Sequence, residues 1–364
     1  MPYILSVGTC DASYRVEQDK TVEFAKEMFS GHFQNINRLL KAFENGQIQS
    51  RHFVKDVNWY KQPHSLQEKN DLYIGKSIEY SVKAIERCLS GGPYSEHPLP
   101  YHEIDAIFFV SSTGFSTPSI EARLMNALPF SKNTKRIPIW GLGCAGGASG
   151  VSRAHDYCIA YPDAKVLLVC VELCSLTFQN DDFSKSNLIG TSLFADGVAA
   201  ALIVGEEVKT NEVGEMGIPY PKTIASQSNL MPDSEDVMGW EVKDNGLNVV
   251  FSKDIPTIVD RWMYPTIHQF LVDQELEIDA IKHFVAHPGG IKVLNAYKTA
   301  LGIPDSYFED AFEVLKHYGN MSSVTVLYVL NRFMEKRIRS GEKGILMALG
   351  PGFSSEIVLL EWDE

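Results

Sequence analysis

The sequence lacks the features that would mark a nucleic-acid binder, a membrane protein or a disulfide-framed domain. Its 364 residues hold 33 Lys and Arg against 46 Asp and Glu, a formal net charge of -13, whereas a protein that tracks phosphates shows a basic face. The one basic stretch (Arg332, Lys336, Arg337, Arg339) is spaced as the solvated face and C-terminal end of a helix. The longest apolar runs, Ala164–Val171 and Val198–Val204, are strand-length, far short of the ~20 residues of a membrane span. There is no C-x-x-C pair. Six cysteines (Cys10, Cys88, Cys144, Cys158, Cys170, Cys174) in a chain this long read as buried thiols of a reducing compartment. The N-terminus lacks the basic region of a signal peptide, so a cytoplasmic protein is expected by elimination.

What is present is an ordinary globular balance, 45% hydrophobic and 22% charged, and a weak internal repeat. Ile104-Asp105-Ala106-Ile107 opens a strand that ends in Ser111-Ser112-Thr113-Gly114. Ile278-Asp279-Ala280-Ile281 opens another that ends in His287-Pro288-Gly289-Gly290. Cys144 lies 39 positions after Asp105, and Asn320 lies 41 after Asp279. Each precedes a predicted helix (Ala145–Tyr161, Met321–Ile338), and the next strand opens 21 and 23 positions on, at Lys165 and Lys343. Strands alternating with helices predict an α/β fold with parallel pairing. Two halves are expected, 1–210 and 211–364, with Gly205–Pro221 as the crossover. Packed together, they would bring Cys144, His287 and Asn320 to one seam.

Cys144 stands in Trp140-Gly-Leu-Gly-Cys-Ala-Gly-Gly-Ala-Ser-Gly150. Glycines on both sides permit a sharp strand-to-helix turn, and a thiol at a helix N-terminus is expected to acidify. A structural cysteine in a packing turn is the plainer reading. His287 ends the strand Phe284-Val-Ala before a Pro-Gly-Gly turn, where it serves either a site or the turn itself. Asn320 suits a helix N-cap, or an uncharged donor aimed at an oxyanion. As a set, they suit thiolate attack on a thioester and stabilisation of the enolate left when a malonyl group loses carbon dioxide.

With these residues in place, the sequence resembles the chalcone synthase-like, or type III polyketide synthase, family of the thiolase fold, over nearly its whole length. The resemblance rests on Gly143-Cys144, Ala286-His287-Pro288-Gly289-Gly290, Gly319-Asn320-Met321-Ser322-Ser323, Leu193-Phe194-Ala195-Asp196-Gly197 and Gly350-Pro351-Gly352-Phe353. It implies a five-layered αβαβα homodimer that uses acyl-CoA and malonyl-CoA directly, with no acyl carrier protein, no cofactor and no metal. It makes Cys144 the acyl-bearing nucleophile and gives His287 and Asn320 the thiolate and the decarboxylation transition state. Phe194 would gate the cavity mouth, Pro351 and Gly352 would border the cavity, and Thr117 would close it from the partner subunit. Cys174, Thr177 and Ser322 fall on cavity positions. For coenzyme A, Lys41, Arg51, Lys55 and Gly289 are the candidates, although a solvated helix face explains the cations equally well.

Three departures reshape the expected cavity. Ala145 and Val249 stand where plant members carry Phe, and Trp240 stands where chalcone synthase carries Gly. Space lost on one wall and gained at the entrance suits an extended chain. Bacterial members of this type turn long-chain fatty acyl-CoA starters into alkylpyrones, and that product is expected here. A chalcone- or stilbene-like starter remains an alternative, as does a ketoacyl synthase of fatty-acid synthesis. So do hydroxymethylglutaryl-CoA synthase (with Glu172 as its acid), a cysteine hydrolase and an acyl-CoA-binding scaffold.

Overall fold

The computed structural model describes residues 1–90, 98–208, 219–252 and 254–363. The first half runs β1 (Tyr3–Asp11), β2 (Tyr14–Glu17), α1 (Gln18–Phe29), α2 (Ile36–Asn45), β3 (Ser50–Phe53) and α3 (Leu66–Leu89). It continues through β4 (Ala106–Ser111), α4 (Ile120–Ala127), β5 (Lys135–Trp140), α5 (Gly146–Ala160), β6 (Lys165–Leu173), α6 (Lys185–Leu193) and β7 (Asp196–Val204). The second half runs β8 (Tyr220–Leu230), β9 (Met238–Lys243), β10 (Gly246–Phe251), α7 (Ile255–Asp273), β11 (Ile281–Ala286), α8 (Ile291–Leu301), α9 (Glu309–Tyr318), α10 (Thr325–Met334), β12 (Lys343–Gly350) and β13 (Ser354–Asp363). The expected division at 210/211 lies outside the described residues, as does most of the expected crossover.

The long strands are the apolar runs of the sequence. β4 and β7 are buried at every position and β6 at all but Lys165, as strands covered on both faces must be. Nine strands follow the order β11-β12-β13-β8-β1-β7-β6-β4-β5. The order divides in two, because β1 meets β8 through the single pair Tyr3–Lys222. Pairing is parallel for β4–β5, β4–β6 and β11–β12 but antiparallel for β6–β7, β1–β7, β12–β13 and β8–β13. The sequence rule of parallel pairing therefore fails at the end of each half. For β12 and β13 the reason is the connection: three residues can join only antiparallel neighbours.

The two half-sheets sandwich α5 and α10, which touch each other and strands of both. α3 covers the outer face of the first half-sheet. Beyond the second, Phe284 of β11 packs on Tyr307 and Phe308, and Phe308 in turn meets Tyr297 of α8. The layers are αβαβα, a thiolase-like fold. A central layer has no solvent face, so residues 146–152 of α5 and 325–330 of α10 are all buried. Gly147 lies against the turn that leads into α10. A Cβ there would sit 2.1 Å from the Ser323 carbonyl oxygen, a separation no side chain tolerates.

Candidate active site

Cys144 enters the site on a 3-10 turn, Gly143–Ala145, between β5 and α5. Gly143 makes the turn in the left-handed region (φ +46°), and a Cβ there would lie 2.7 Å from Pro351 Cδ. The turn therefore needs glycine twice over, for its dihedral and for the Pro351 loop packed on it. Its amide donates to Ser112 Oγ at 3.0 Å. The thiol is 5% exposed.

Asn320 arrives from the other half after Gly319, whose φ of +69° ends α9. Its backbone amide donates to Leu193 O and its carbonyl accepts from Ala195 N, both at 2.9 Å. Those bonds seat Phe194 beside it. Its Oδ1 accepts from Ser322 N at 2.7 Å and its Nδ2 donates to Gly289 O at 3.1 Å. Both side-chain atoms stand 3.9 Å from Cys144 Sγ. The bond to Ser322 holds that residue at φ +49°, with its side chain within reach of the thiol. Gly289 donates its own amide to His287 O at 3.0 Å, and the His287 amide bonds Met347 O at the end of the β11–β12 pairing.

His287 is 1% exposed and both of its ring nitrogens lack a protein partner. A buried imidazole normally satisfies at least one nitrogen. Burial pushes its pKa down to about 3. The sequence argument expects the helix terminus to acidify Cys144, yet burial wins and pushes the thiol up to about 11. Each group alone is neutral near pH 7. A charge on either one alone would stand uncompensated in so dry a site. Burial also raises Cys88 and Cys158 to about 12, so a thiol's acidity does not single out the nucleophile. Its neighbours do.

Glu172 is fully buried behind the site and its pKa is pushed up to about 7 by burial. Its oxygens accept from Ser112 N, Thr113 Oγ1 and, across the seam, Ser323 Oγ. Committed to three protein donors, it acts as a brace between the halves and does not suit the acid role of the hydroxymethylglutaryl-CoA synthase alternative.

A cavity partly open to solvent is walled by Phe194, Cys174, Thr177 and Val249. Its walls also include Gly190, Phe178, Phe53, Tyr60, and Thr21 and Phe24 of α1. The walls from α1 and Phe53 were not legible, because they carry no motif, and Arg51 of β3, which also lines the cavity, was named only as a cation for coenzyme A. Trp240 reaches the cavity only through Phe194 (ring centroids 6.0 Å). Phe251, two residues beyond Val249 on the same face of β10, stacks on Phe194 at 5.4 Å. Aromatic cover lost at Val249 is thus partly restored one register step away.

Arg51 is a correction. It is fully buried, and its guanidinium donates to Thr191 O, Phe194 O and Gln18 Oε1, which neutralises the carbonyl end of α6. Its two terminal nitrogens bond protein oxygens and its Nε is buried without a partner, so it is no surface cation for coenzyme A. Lys41 is exposed on α2, Lys55 is half-buried, and Gly289 borders His287 and Asn320. Thr117, before a cis Pro118, is exposed and does not line the cavity of its own chain. Among the described residues no helix is long and apolar enough to cross a membrane.

This fold and seam define an acyl-transferring enzyme of the thiolase type. The "Chalcone and stilbene synthases" N-terminal domain family matches residues 2–207 and the C-terminal domain family residues 222–362. The chain belongs to this family, the type III polyketide synthases. It is 52% identical to a Bacillus subtilis (strain 168) protein named "Putative chalcone synthase", over the full length of both. An "Alpha-pyrone synthesis polyketide synthase-like" protein of Mycobacterium tuberculosis (strain ATCC 25618 / H37Rv) is 27% identical, covering 95% of this chain and 87% of its own. The crystal structure of 1,3,6,8-tetrahydroxynaphthalene synthase from Streptomyces coelicolor A3(2) superposes with a TM-score of 0.89 at 28% identity, covering 100% of this chain and 99% of the other.

Proposed function

We propose that the enzyme loads a long-chain fatty acyl group from its coenzyme A thioester onto Cys144. It then extends that group with malonyl-CoA and releases an alkylpyrone. The thiol passes its proton to His287, and the thiolate attacks the thioester carbonyl. The coenzyme A thiolate leaves and takes the proton back from the imidazolium. Malonyl-CoA then loses carbon dioxide, and the enolate oxygen accepts hydrogen bonds from Asn320 Nδ2 and an His287 N–H. The enolate carbon attacks the acyl-Cys144 carbonyl, and the extended chain returns to coenzyme A as the thiolate is expelled. No cofactor, metal or acyl carrier protein enters this scheme. A cytoplasmic homodimer in which Thr117 of each subunit closes the partner's cavity completes the reading.

The observation that carries it is the seam itself: Asn320 stands 3.9 Å from Cys144 Sγ and bonds Gly289, which lies against a buried imidazole with both nitrogens unpartnered. The neutral surroundings suit expulsion of carbon dioxide, whereas abstraction of an alpha proton would call for a carboxylate base. The starter class is supported by the cavity, apolar along most of its length from Cys174 to Phe24. Purified enzyme with malonyl-CoA and an acyl-CoA series, products read by mass, tests both. Long-chain starters should give triketide pyrones. Product from aromatic starters alone would refute the fatty acyl reading.

A further inference from the structure

Lys69 occupies a place that charge alone disfavours. It lies in the first turn of α3, at the positive end of the helix dipole, and it is 8% exposed. Burial pushes its pKa down to about 8. Its Nζ donates to three neutral oxygens: Gln179 Oε1 at 2.7 Å, Phe178 O at 3.1 Å and Asn245 O at 3.5 Å. The first two belong to the segment after Thr177, which walls the cavity. The third belongs to the turn of the β9–β10 hairpin.

That hairpin is a two-stranded sheet paired only with itself. It presents Val249 to the cavity and Trp240 and Phe251 to Phe194. An isolated pair of strands is marginal without packing, so its position depends on its ties to the body. Gln179, 2% exposed, accepts from Lys69 and donates to Leu247 O at 2.9 Å, while Asn245 Nδ2 donates to Asp181. The Lys69 ammonium is the charged centre of this group.

We propose that Lys69 is a positioning residue that clamps the β9–β10 hairpin against Phe178 and Gln179, and so fixes the cavity wall that limits chain length. The proposal rests on the acyl-cavity reading above for its effect on products, but not for the clamp.

The test compares the full-length enzyme with Lys69→Met, which keeps the stem without the donors, and with Lys69→Arg as the conservative variant. In hydrogen–deuterium exchange, amides of residues 238–251 in Lys69→Met should exchange about tenfold faster, the loss of a charge-assisted hydrogen bond. Amides of β6 and α5 should hold their rates and Lys69→Arg should restore the hairpin. With malonyl-CoA and the starter series, Lys69→Met should shift the distribution of product lengths while malonyl-CoA decarboxylation is kept. Unchanged hairpin exchange would overturn the clamp whichever starter the enzyme prefers. Faster exchange in the hairpin with an unaltered product distribution would overturn its control of length. Faster exchange throughout the chain would also overturn it, because Lys69 would then be a general stability residue. If Lys69→Met does not fold, Gln179→Leu breaks the same bridge and is read by the same outcomes.

Discussion

The chain enters its two central helices through turns of opposite composition. At the entry to α5 come Gly143, Cys144, Ala145, Gly146 and Gly147, which offer little beyond a thiol. At the entry to α10 come Asn320, Ser322, Ser323 and Thr325, where nearly every side chain bonds something. Asn320 accepts from the Ser322 amide, Thr325 Oγ1 accepts from Met321 N and donates to Ser322 O, and Ser323 reaches Glu172. One side yields space and the other fills it with fixed dipoles. A bulky nucleophile turn would push the halves apart, and a turn of glycines on the second side would leave Asn320 free to swing. The asymmetry brings a reactive atom and a prearranged donor together across an interface.

If that division of labour holds, Cys144→Ala should abolish product in a condensation assay with malonyl-CoA and an acyl-CoA starter. Folding should be unaffected, because Ala fits wherever the thiol fits. Turnover above background in this variant would end the assignment. Asn320→Ala should act on one step alone. Losing one preorganised donor lowers malonyl-CoA decarboxylation by about 10²–10³-fold, while intact-mass measurement still finds the acyl group on Cys144. Equal loss of loading and decarboxylation would show that the two turns do not divide the chemistry.

The space on the glycine side has its own test. Gly147→Ala places a methyl against the backbone oxygen of Ser323, which cannot move without disturbing Asn320. The expected cost is about 3 kcal/mol, near the upper end for overpacking, read from urea unfolding. Gly150→Ala should cost less, since the added carbon would meet only the Leu168 side chain.

The sequence located the seam better than the architecture around it. Cys144 and Asn320, which the fold sets 3.9 Å apart, and His287, two residues before the Gly289 that Asn320 bonds, stood out because glycine and proline mark the turns that carry them. The strands β4, β6 and β7 were legible as apolar runs. Arg51 was misread because a cation near the N-terminus looks the same in sequence whether it faces solvent or caps a helix 140 residues away. The state of the thiol was misread because burial is a tertiary property, and it outweighs the helix terminus that local spacing suggests. The cavity wall on α1 left no trace, since the apolar residues there are spaced as in any packed helix.

Glu172 is the point where the two sides can be uncoupled most gently. Its pKa stands near 7 in the fold against 4.5 when exposed, so the native state keeps a proton that the unfolded chain has lost. Below pH 4.5 both states are protonated and the residue is neutral to stability. Between 4.5 and about 7 the unfolded state is increasingly favoured, by about 1.4 kcal/mol for each pH unit, and above 7 the penalty is constant. Glu172→Gln removes that penalty and keeps the brace, since its oxygen can accept from Ser112 and Thr113 while its amide donates to Ser323 Oγ. Urea midpoints measured across pH should therefore show the variant gaining on the parent from pH 4.5 upward and levelling off past 7. Asp196, buried and also raised to about 7, is common to both proteins and cancels in the difference. A gap that shrinks as pH rises would mean that Glu172 is held ionised at the seam, and that the hydroxyl-rich turn serves a buried charge rather than a neutral brace.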